Sequence, residues 1–457
     1  MAERSLDMDE YEQLTHLRGL LVFLSPFLLL VGALLCGGAS RLNPIGLMVA
    51  EGLGVLALAP ALLRFPDLVY SRLTLAACVL LGLAAGLVLL QLAPLPPALL
   101  SALPGRQPLA TAVTLVGLPN HWRPMTLAPD ETRGAALFLL APAGMFLASL
   151  QCDVRERWWL LAAALCVALI SLPLSALQMA GVAGGPLQLH AAATIGTPNG
   201  FFANHNHQAA FMLAAVGLSA ALSCWDKLPS ALARRPIAIL GLMLAFAVAA
   251  AATLSFAGLV LIGPVLVVAL FIMRGRLTGS RQWMRLLIPI AAAIGVGALV
   301  VVLSDGTVID RAHDFNMGAF GQISALPNVV AAGHSLQPLG SGIGAFDMVY
   351  RSVEPLNLVS PEYLNHVHDD YVELWLEGGW PAVALILGAV VWWGLGSYAA
   401  WFGAPRADTA LARAGSLVAT TLLLQSVVDY PLRTPALAVM FALACALMLP
   451  TPRLKRD

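Results

Sequence analysis

Two histidines stand beside a run of acidic residues late in the chain. Residues 365–371 have the sequence NHVHDDY, and two glutamates follow at 373 and 377. Side chains alternate along an extended segment, so His366 and His368 are expected to point to the same side. Imidazole can take a proton from a hydroxyl near neutral pH, and a helix that begins beside it attracts anions such as phosphate. The segment predicts a general base next to an anion site.

The acidic residues of this segment have helical spacing. Asp369, Glu373 and Glu377 fall at intervals of four, which places them on one face of a helix. Like charges at that spacing repel, so a purely structural interpretation must supply cationic partners. Ionisable groups are also costly at a bilayer edge, which favours a functional interpretation.

Two further polar segments could contribute to the same chemistry. Residues 204–208 read NHNHQ, and the plain alternative is a helix cap. Residues 429–435 read DYPLRTP, where Arg433 could hold a phosphate through two parallel N–H donors. Alternatively, Arg433 could pair with Asp429 or extend to the membrane surface. The two segments together predict polar groups for substrate binding.

A metal site is the competing interpretation of the histidines. The four residues at 205, 207, 366 and 368 could supply nitrogen ligands to zinc. Neither pair has the i, i+4 spacing of a helical metal motif, and the six cysteines form no CxxC pair. We therefore expect no metal and no cofactor.

The composition shows what must position these residues. Of 457 residues 59% are apolar and only 11% are charged, against roughly 25% charged in soluble domains. The formal net charge of zero gives no electrostatic case for nucleic-acid binding, and the hydrophobicity excludes disorder. The sequence predicts an all-α polytopic membrane protein.

Apolar runs predict about twelve transmembrane helices, since a span needs roughly 17–25 mainly apolar residues. They lie near 19–36, 45–63, 73–93, 135–150, 157–176, 207–224, 236–253, 255–273, 286–303, 372–401, 412–428 and 435–450.

Loop charge predicts the orientation of these spans. One alternate set of loops, together with both tails, holds 18 of the 25 basic residues. Because cytoplasmic loops are enriched in Lys and Arg, both termini are expected in the cytoplasm. We expect three parts: nine spans in 1–303, a long periplasmic loop in 304–371, and three spans in 372–457. All three polar segments then face the periplasm of a bacterial inner membrane.

Five segments of the chain resemble motifs of the bacterial O-antigen ligase and polysaccharide polymerase (Wzy-like) membrane glycosyltransferases, and they occur in the same order as in that family. Residues 365–378 resemble the family's histidine motif, and 200–207 its Asn-rich motif. The similarity runs from about residue 115 onward and is closest to the exopolysaccharide-associated branch. The other segments are 122–133, a glycine-rich stretch at 338–346, and the outward turn at 428–433.

The resemblance implies a GT-C-like helical fold and an undecaprenyl-diphosphate-linked glycan donor. It implies a metal-independent inverting transfer in which His368 is the base, with His366 as second choice. Arginines would neutralise the diphosphate; Arg433, Arg351 and Arg311 are the candidates. The remaining candidate substrate-binding residues are Asn204, His205, Asn206, His207, Asp369, Asp370, Tyr371 and Glu377. Family members commonly carry Arg where this chain has His205 and Phe256.

The sequence therefore favours an enzyme that polymerises or ligates lipid-linked glycan units at the periplasmic face, with a glycan acceptor as second substrate. Polymerase is favoured over ligase by the exopolysaccharide-like motifs. A non-catalytic partner in polysaccharide assembly is one alternative. A transporter is a weaker one, because most span centres carry no ionisable group.

Overall fold

The structure is a computed structural model that describes residues 8–40, 44–118, 121–180, 187–190, 196–227, 236–276, 325–359 and 364–455. Within these ranges the chain is helical almost throughout. The helices are α1 (Met8–Cys36), α2 (Pro44–Arg64), α3 (Arg72–Leu92), α4 (Pro97–Ala102), α5 (Gln107–Leu115), α6 (Pro129–Phe138), α7 (Leu140–Gln151), α8 (Val154–Met179), α9 (His205–Leu222), α10 (Pro236–Ala252), α11 (Phe256–Met273), α12 (325–335), α13 (Phe346–Val353), α14 (Asp370–Phe402), α15 (Thr409–Gln425) and α16 (Pro435–Met448).

The described strands are two residues long and form two antiparallel pairs. Strand β1 (Leu68–Val69) pairs with β4 (Arg453–Leu454), and β2 (Pro94–Leu95) pairs with β3 (Arg123–Pro124). The predicted all-α fold is therefore confirmed for the described residues.

Six helical stretches are long and apolar enough to cross a membrane: Pro44–Asp67, Arg72–Leu92, Pro129–Gln151, Val154–Met179, Phe256–Met273 and Asp370–Phe402. Shorter apolar helices lie at Val22–Cys36, Pro236–Ala252 and Pro435–Met448. Helices α9 and α15 coincide with the predicted spans 207–224 and 412–428. The predicted span 286–303 lies outside the described residues, and the total of twelve stays a prediction.

The core of the bundle is built from small side chains. From His207 to Ala221 every residue of α9 is buried, and α9 packs against α10, α11, α15 and α8. Helices α2 and α7 cross where a Cβ on Gly144 would lie 2.5 Å from the Gly54 carbonyl oxygen. Such close approach compensates for the absence of a hydrophobic driving force between helices in lipid.

One end of the bundle, here called the site end, collects the polar segments. The C-terminus of α1 meets the starts of α9 and α16 there, because Ala203 donates to the Gly38 carbonyl and Ala436 to the Gly37 carbonyl. The start of α14 joins them, since Asp370 N donates to the Ser426 carbonyl at 2.9 Å. A second, smaller hydrophobic cluster lies at this end and includes Val329, Phe346 and Val367.

Helix α14 is interrupted at Gly379, whose φ of 62° is left-handed. The break frees the Glu377 carbonyl, which accepts from Gly342 N at 2.8 Å and from the Gln91 side chain at 3.0 Å. Residues 370–378 thereby form a short helical arm ahead of the membrane-length part. The predicted continuous span 372–401 is thus divided, because a glycine pair permits the turn.

Candidate functional site

The Tyr430 ring is the point at which the three polar segments meet. The ring centroids of His207, His366 and His368 lie 5.0, 4.4 and 4.8 Å from its own. The side chains of Asn204 and Asn365 hydrogen-bond with its hydroxyl. Tyr430 comes from the turn before α16, the three histidines from two other segments, so one buried aromatic side chain joins all of them.

His368 pairs with Asp429. The distance from His368 Nδ1 to Asp429 Oδ1 is 3.3 Å, and Asp429 Oδ2 lies 3.4 Å from His207 Nε2. The His368 side chain is 16% exposed, whereas those of His366 and His207 are 4% and 2% exposed. Among these three histidines, His368 is therefore the one that a substrate reaches most readily.

His366 and His368 are two residues apart, and both side chains turn toward the same site. Both rings pack on Tyr430 while Val367 lies in the smaller hydrophobic cluster, as expected from alternation along the segment. His368 itself has φ of 58°, a left-handed conformation that is uncommon for residues other than glycine. Strain of this kind, about 1–3 kcal/mol, concentrates at functional sites.

His366 forms a second histidine–carboxylate pair. Its Nδ1 lies 2.8 Å from Glu373 Oε1, while Glu373 Oε2 accepts from Val367 N at 2.9 Å. Its Nε2 is buried with no hydrogen-bond partner. Because Glu373 is fully buried, this pair holds the loop against the start of α14.

Arg433 supplies the cation that the acidic helix face requires. Its Nη1 donates to Glu377 Oε2 at 3.1 Å and lies 3.4 Å from Glu373 Oε1, and its Nε donates to Asp370 Oδ1 at 3.4 Å. Asp370 also accepts from the Ser426 hydroxyl at 2.8 Å. The third member of the acidic face is thus Asp370 rather than Asp369.

Asp369 instead caps the helix. Its Oδ1 accepts from the backbone N–H groups of Tyr371 and Val372, which would otherwise have no partner in the first turn. Asn204 caps α9 in the same way by accepting from Asn206 N at 2.8 Å. The interpretation of residues 204–208 as a helix cap is therefore also realised, alongside the contact of Asn204 with Tyr430.

Charge in the cluster is set by burial and by these pairs. Burial lowers the pKa of His205 to about 4, so this residue is neutral near pH 7. Burial opposes ionisation of Asp429, but His207 and His368 hold its pKa below the usual range. Burial would lower the pKa of Arg433, yet Glu373, Glu377 and Asp370 raise it. Carboxylates outnumber cations here.

Two other predicted residues, Tyr371 and Arg351, make contacts of a different kind. Tyr371 donates its hydroxyl hydrogen to the Leu423 carbonyl at 2.8 Å. Arg351 is on the exposed face of α13, where its Nε donates to Asp347 at 2.8 Å. Arg311 lies outside the described residues.

The sequence reasoning missed two residues that support the site. Arg106 is almost fully buried, and its guanidinium donates to the carbonyls of Pro104, Met125 and Gly340. Gln91 accepts from Ile343 N and donates to Glu377 O. Both fix the glycine-rich loop 338–344 beside α14. The sequence signal for Arg106 is a single arginine in an otherwise apolar stretch, and that for Gln91 is a polar side chain at the end of a predicted span.

Among the described residues, no group of three or more His, Cys, Asp or Glu side chains has an arrangement that could hold a metal ion. The chemistry that this cluster itself offers is proton transfer by a histidine paired with a carboxylate.

Fold and site together define an all-helical membrane protein with a histidine–carboxylate cluster at one end of its bundle. Residues 238–387 match the family model described as O-antigen ligase (Wzy_C). This segment is similar to the O-antigen ligase, Wzy-like family, and the match supports the resemblance seen in the sequence. The matched range contains His366, His368 and the start of α14. A comparison with curated proteins finds no match. The exopolysaccharide branch stays a prediction.

Proposed function

We propose that this protein is a membrane glycosyltransferase that transfers a glycan from a lipid diphosphate to a hydroxyl group of an acceptor glycan. The observation that carries the proposal is the pair of Asp429 with His368, 3.3 Å apart, His368 being the most exposed of the three histidines around Tyr430. The family match supports glycosyltransferase-type chemistry.

In the proposed reaction His368 acts as the base. Asp429 Oδ1 lies 3.3 Å from Nδ1 and would hold the proton on that nitrogen, which leaves Nε2 as the nitrogen that takes the acceptor's proton. The acceptor oxygen then forms the new glycosidic bond while the bond between the anomeric carbon and the diphosphate oxygen breaks, and the diphosphate leaves with the electron pair. Asp429 stabilises the imidazolium that forms.

Arg433 is the proposed contact to the diphosphate, but its geometry restricts the contact. Its Nε and Nη1 are occupied by Asp370, Glu373 and Glu377, while Nη2 is buried without a hydrogen-bond partner. A buried donor without a partner is a feature that a water or a ligand commonly satisfies. We therefore propose one charged hydrogen bond from Nη2 in place of the two-pronged clamp expected from the sequence.

The wider arrangement follows from the sequence. We propose twelve spans in the bacterial inner membrane, both termini in the cytoplasm, and the site end at the periplasmic face. The parts 1–303, 304–371 and 372–457 keep their proposed roles, and undecaprenyl diphosphate is the proposed donor lipid. Polymerase remains favoured over ligase. Loss of secreted polymer with intact lipopolysaccharide in a deletion strain supports polymerase; loss of the O-chain from lipid A supports ligase.

Metal independence is part of the proposal, because a base and a charged hydrogen bond supply the required chemistry. Purified protein should retain its activity in EDTA. Activity that is lost in EDTA and restored by a divalent cation would reject this part.

The direct test uses purified protein in proteoliposomes with a lipid-diphosphate oligosaccharide. His368→Ala should lower kcat by about 10²–10⁴-fold, the usual contribution of a general base. His121→Ala, an exposed histidine outside the cluster, is the matched control and should keep full activity. A folded wild-type protein without any turnover would instead support a non-catalytic assembly partner, which the substitution of the family's arginine by Phe256 also favours.

A further inference from the structure

A cavity of about 450 Å³ lies between α2, α3, α6 and α7, away from the histidine cluster. Its walls include Leu62 of α2, Cys78, Gly82 and Leu89 of α3, Ala136 of α6 and Ala143 of α7. All the lining side chains are apolar. All the lining residues fall in three stretches, Pro44–Asp67, Arg72–Leu92 and Pro129–Gln151, that are long and apolar enough to cross a membrane.

The cavity is elongated along α3. Leu89 and Cys78 are eleven residues apart, which corresponds to about 16 Å along a helix axis. Gly82 leaves room in the wall, because a Cβ added there would meet nothing within 4 Å. An apolar space of this length in membrane-facing helices suits an extended hydrocarbon chain and offers no partner for a polar ligand.

Two walls of the cavity end on the glycine-rich loop beside the site. Two residues beyond Leu89, Gln91 bonds both Ile343 N and Glu377 O. At the start of α6, the Glu131 carbonyl lies 2.9 Å from the position of a Cβ on Gly344. The end of the cavity near Leu89 thus adjoins the glycine-rich loop, and this loop contacts Glu377, which is a partner of Arg433.

We propose that this cavity holds the isoprenoid chain of the lipid-diphosphate donor, with the diphosphate end directed toward the glycine-rich loop. The inference rests on the proposed function for the identity of the lipid. The cavity explains how a donor anchored in the bilayer is aligned with the cluster, because a chain seated along α3 leads its headgroup past Gln91.

The test uses binding rather than turnover. The probe is a long-chain polyisoprenyl diphosphate without a glycan that carries a photoactivatable group on the chain, in proteoliposomes. Labelled residues are mapped by mass spectrometry. Labelling should fall on α3 and α7 in the wild-type protein and drop at least fivefold in Gly82→Leu, which fills the cavity. Ala136→Leu fills it from another wall and guards against a misfolded first variant.

The matched control is Gly263→Leu, because Gly263 also has nothing within 4 Å but lies on α11. This variant should label like the wild-type protein. Unchanged labelling in both filling variants would overturn the inference. So would equal labelling by a phospholipid with a photoactivatable acyl chain that excess isoprenyl diphosphate does not displace. Specific labelling without any glycan transfer would uphold this inference and reject the proposed function.

Discussion

Removing Arg433 should destabilise the protein strongly. Its guanidinium is the cation that contacts three carboxylates, those of Asp370, Glu373 and Glu377, at 3.1–3.4 Å. The two glutamate side chains are fully buried, so Arg433→Ala leaves uncompensated buried charge. Breaking a buried ion pair typically costs about 3–5 kcal/mol, and we expect a loss of unfolding free energy in that range.

The matched control is Arg351→Ala. Arg351 forms an exposed pair with Asp347, its side chain being 56% exposed, and such pairs contribute about 0–1 kcal/mol. Unfolding in a mild detergent, followed by tryptophan fluorescence, measures both variants. Equal losses in Arg433→Ala and Arg351→Ala would refute the reasoning.

A double-mutant cycle identifies the partner of Arg433. Adding Glu377→Gln to Arg433→Ala should restore about 1–2 kcal/mol, because contacting residues couple by about 0.5–3 kcal/mol. Asp429→Asn should add independently, since Asp429 pairs with His207 and His368 instead. Coupling of Arg433 to Asp429 but not to Glu377 would restore the alternative pair considered from the sequence.

Three further outcomes follow from the described contacts. Burial lowers the pKa of His205 to about 4, so between about pH 6.5 and pH 4 the unfolded chain binds a proton that the folded protein excludes. The free energy of unfolding should therefore fall by up to about 3 kcal/mol as the pH drops through that range, and His205→Asn should remove this pH dependence, as measured by thermal melting at several pH values. Arg106→Met leaves buried carbonyls without donors, so limited proteolysis should cut the glycine-rich loop faster, and Arg106→Lys should not restore protection, because an ammonium lacks the planar fork. Gly340→Ala should cost at least about 2 kcal/mol on melting, because φ is +73° and the new Cβ would meet the Glu377 carbonyl, whereas Gly241→Ala, in open space, should be neutral or stabilising.

Much of the fold could be predicted because apolar run length is a local property. The predicted spans outside 286–303 overlap described helices, although 135–150 covers two helices and 372–401 is divided at Gly379. The alternation of His366, Val367 and His368 was also predictable, since it depends only on an extended backbone. These features need no knowledge of distant contacts.

The first residue of the predicted acidic helix face, Asp369, was wrong by one position. Asp369 lies outside the helix as its cap, so Asp370 occupies the face with Glu373 and Glu377. Spacings of three and four residues both keep side chains on one helix face, and the sequence alone does not decide which aspartate caps. The left-handed φ of His368 has no sequence signature of its own either.

The contacts of Arg433 could not be predicted because they are long-range. Its partners lie 56–63 residues earlier in the chain, and only the packing of the α14 start against the turn before α16 brings them together. The same holds for Arg106, which reaches a carbonyl 234 residues away. Long-range pairings of this kind depend on the assembled bundle.

The measurement that tests the central claim most directly is a double-mutant cycle on turnover. Glycan transfer from a lipid diphosphate is measured for His368→Ala, for Asp429→Asn and for the double variant, each shown to be folded. If His368 is a base held by Asp429, the double variant should be no slower than His368→Ala, because residues that act as a unit are not additive. Independent, multiplying losses, or wild-type turnover in His368→Ala, would contradict the account.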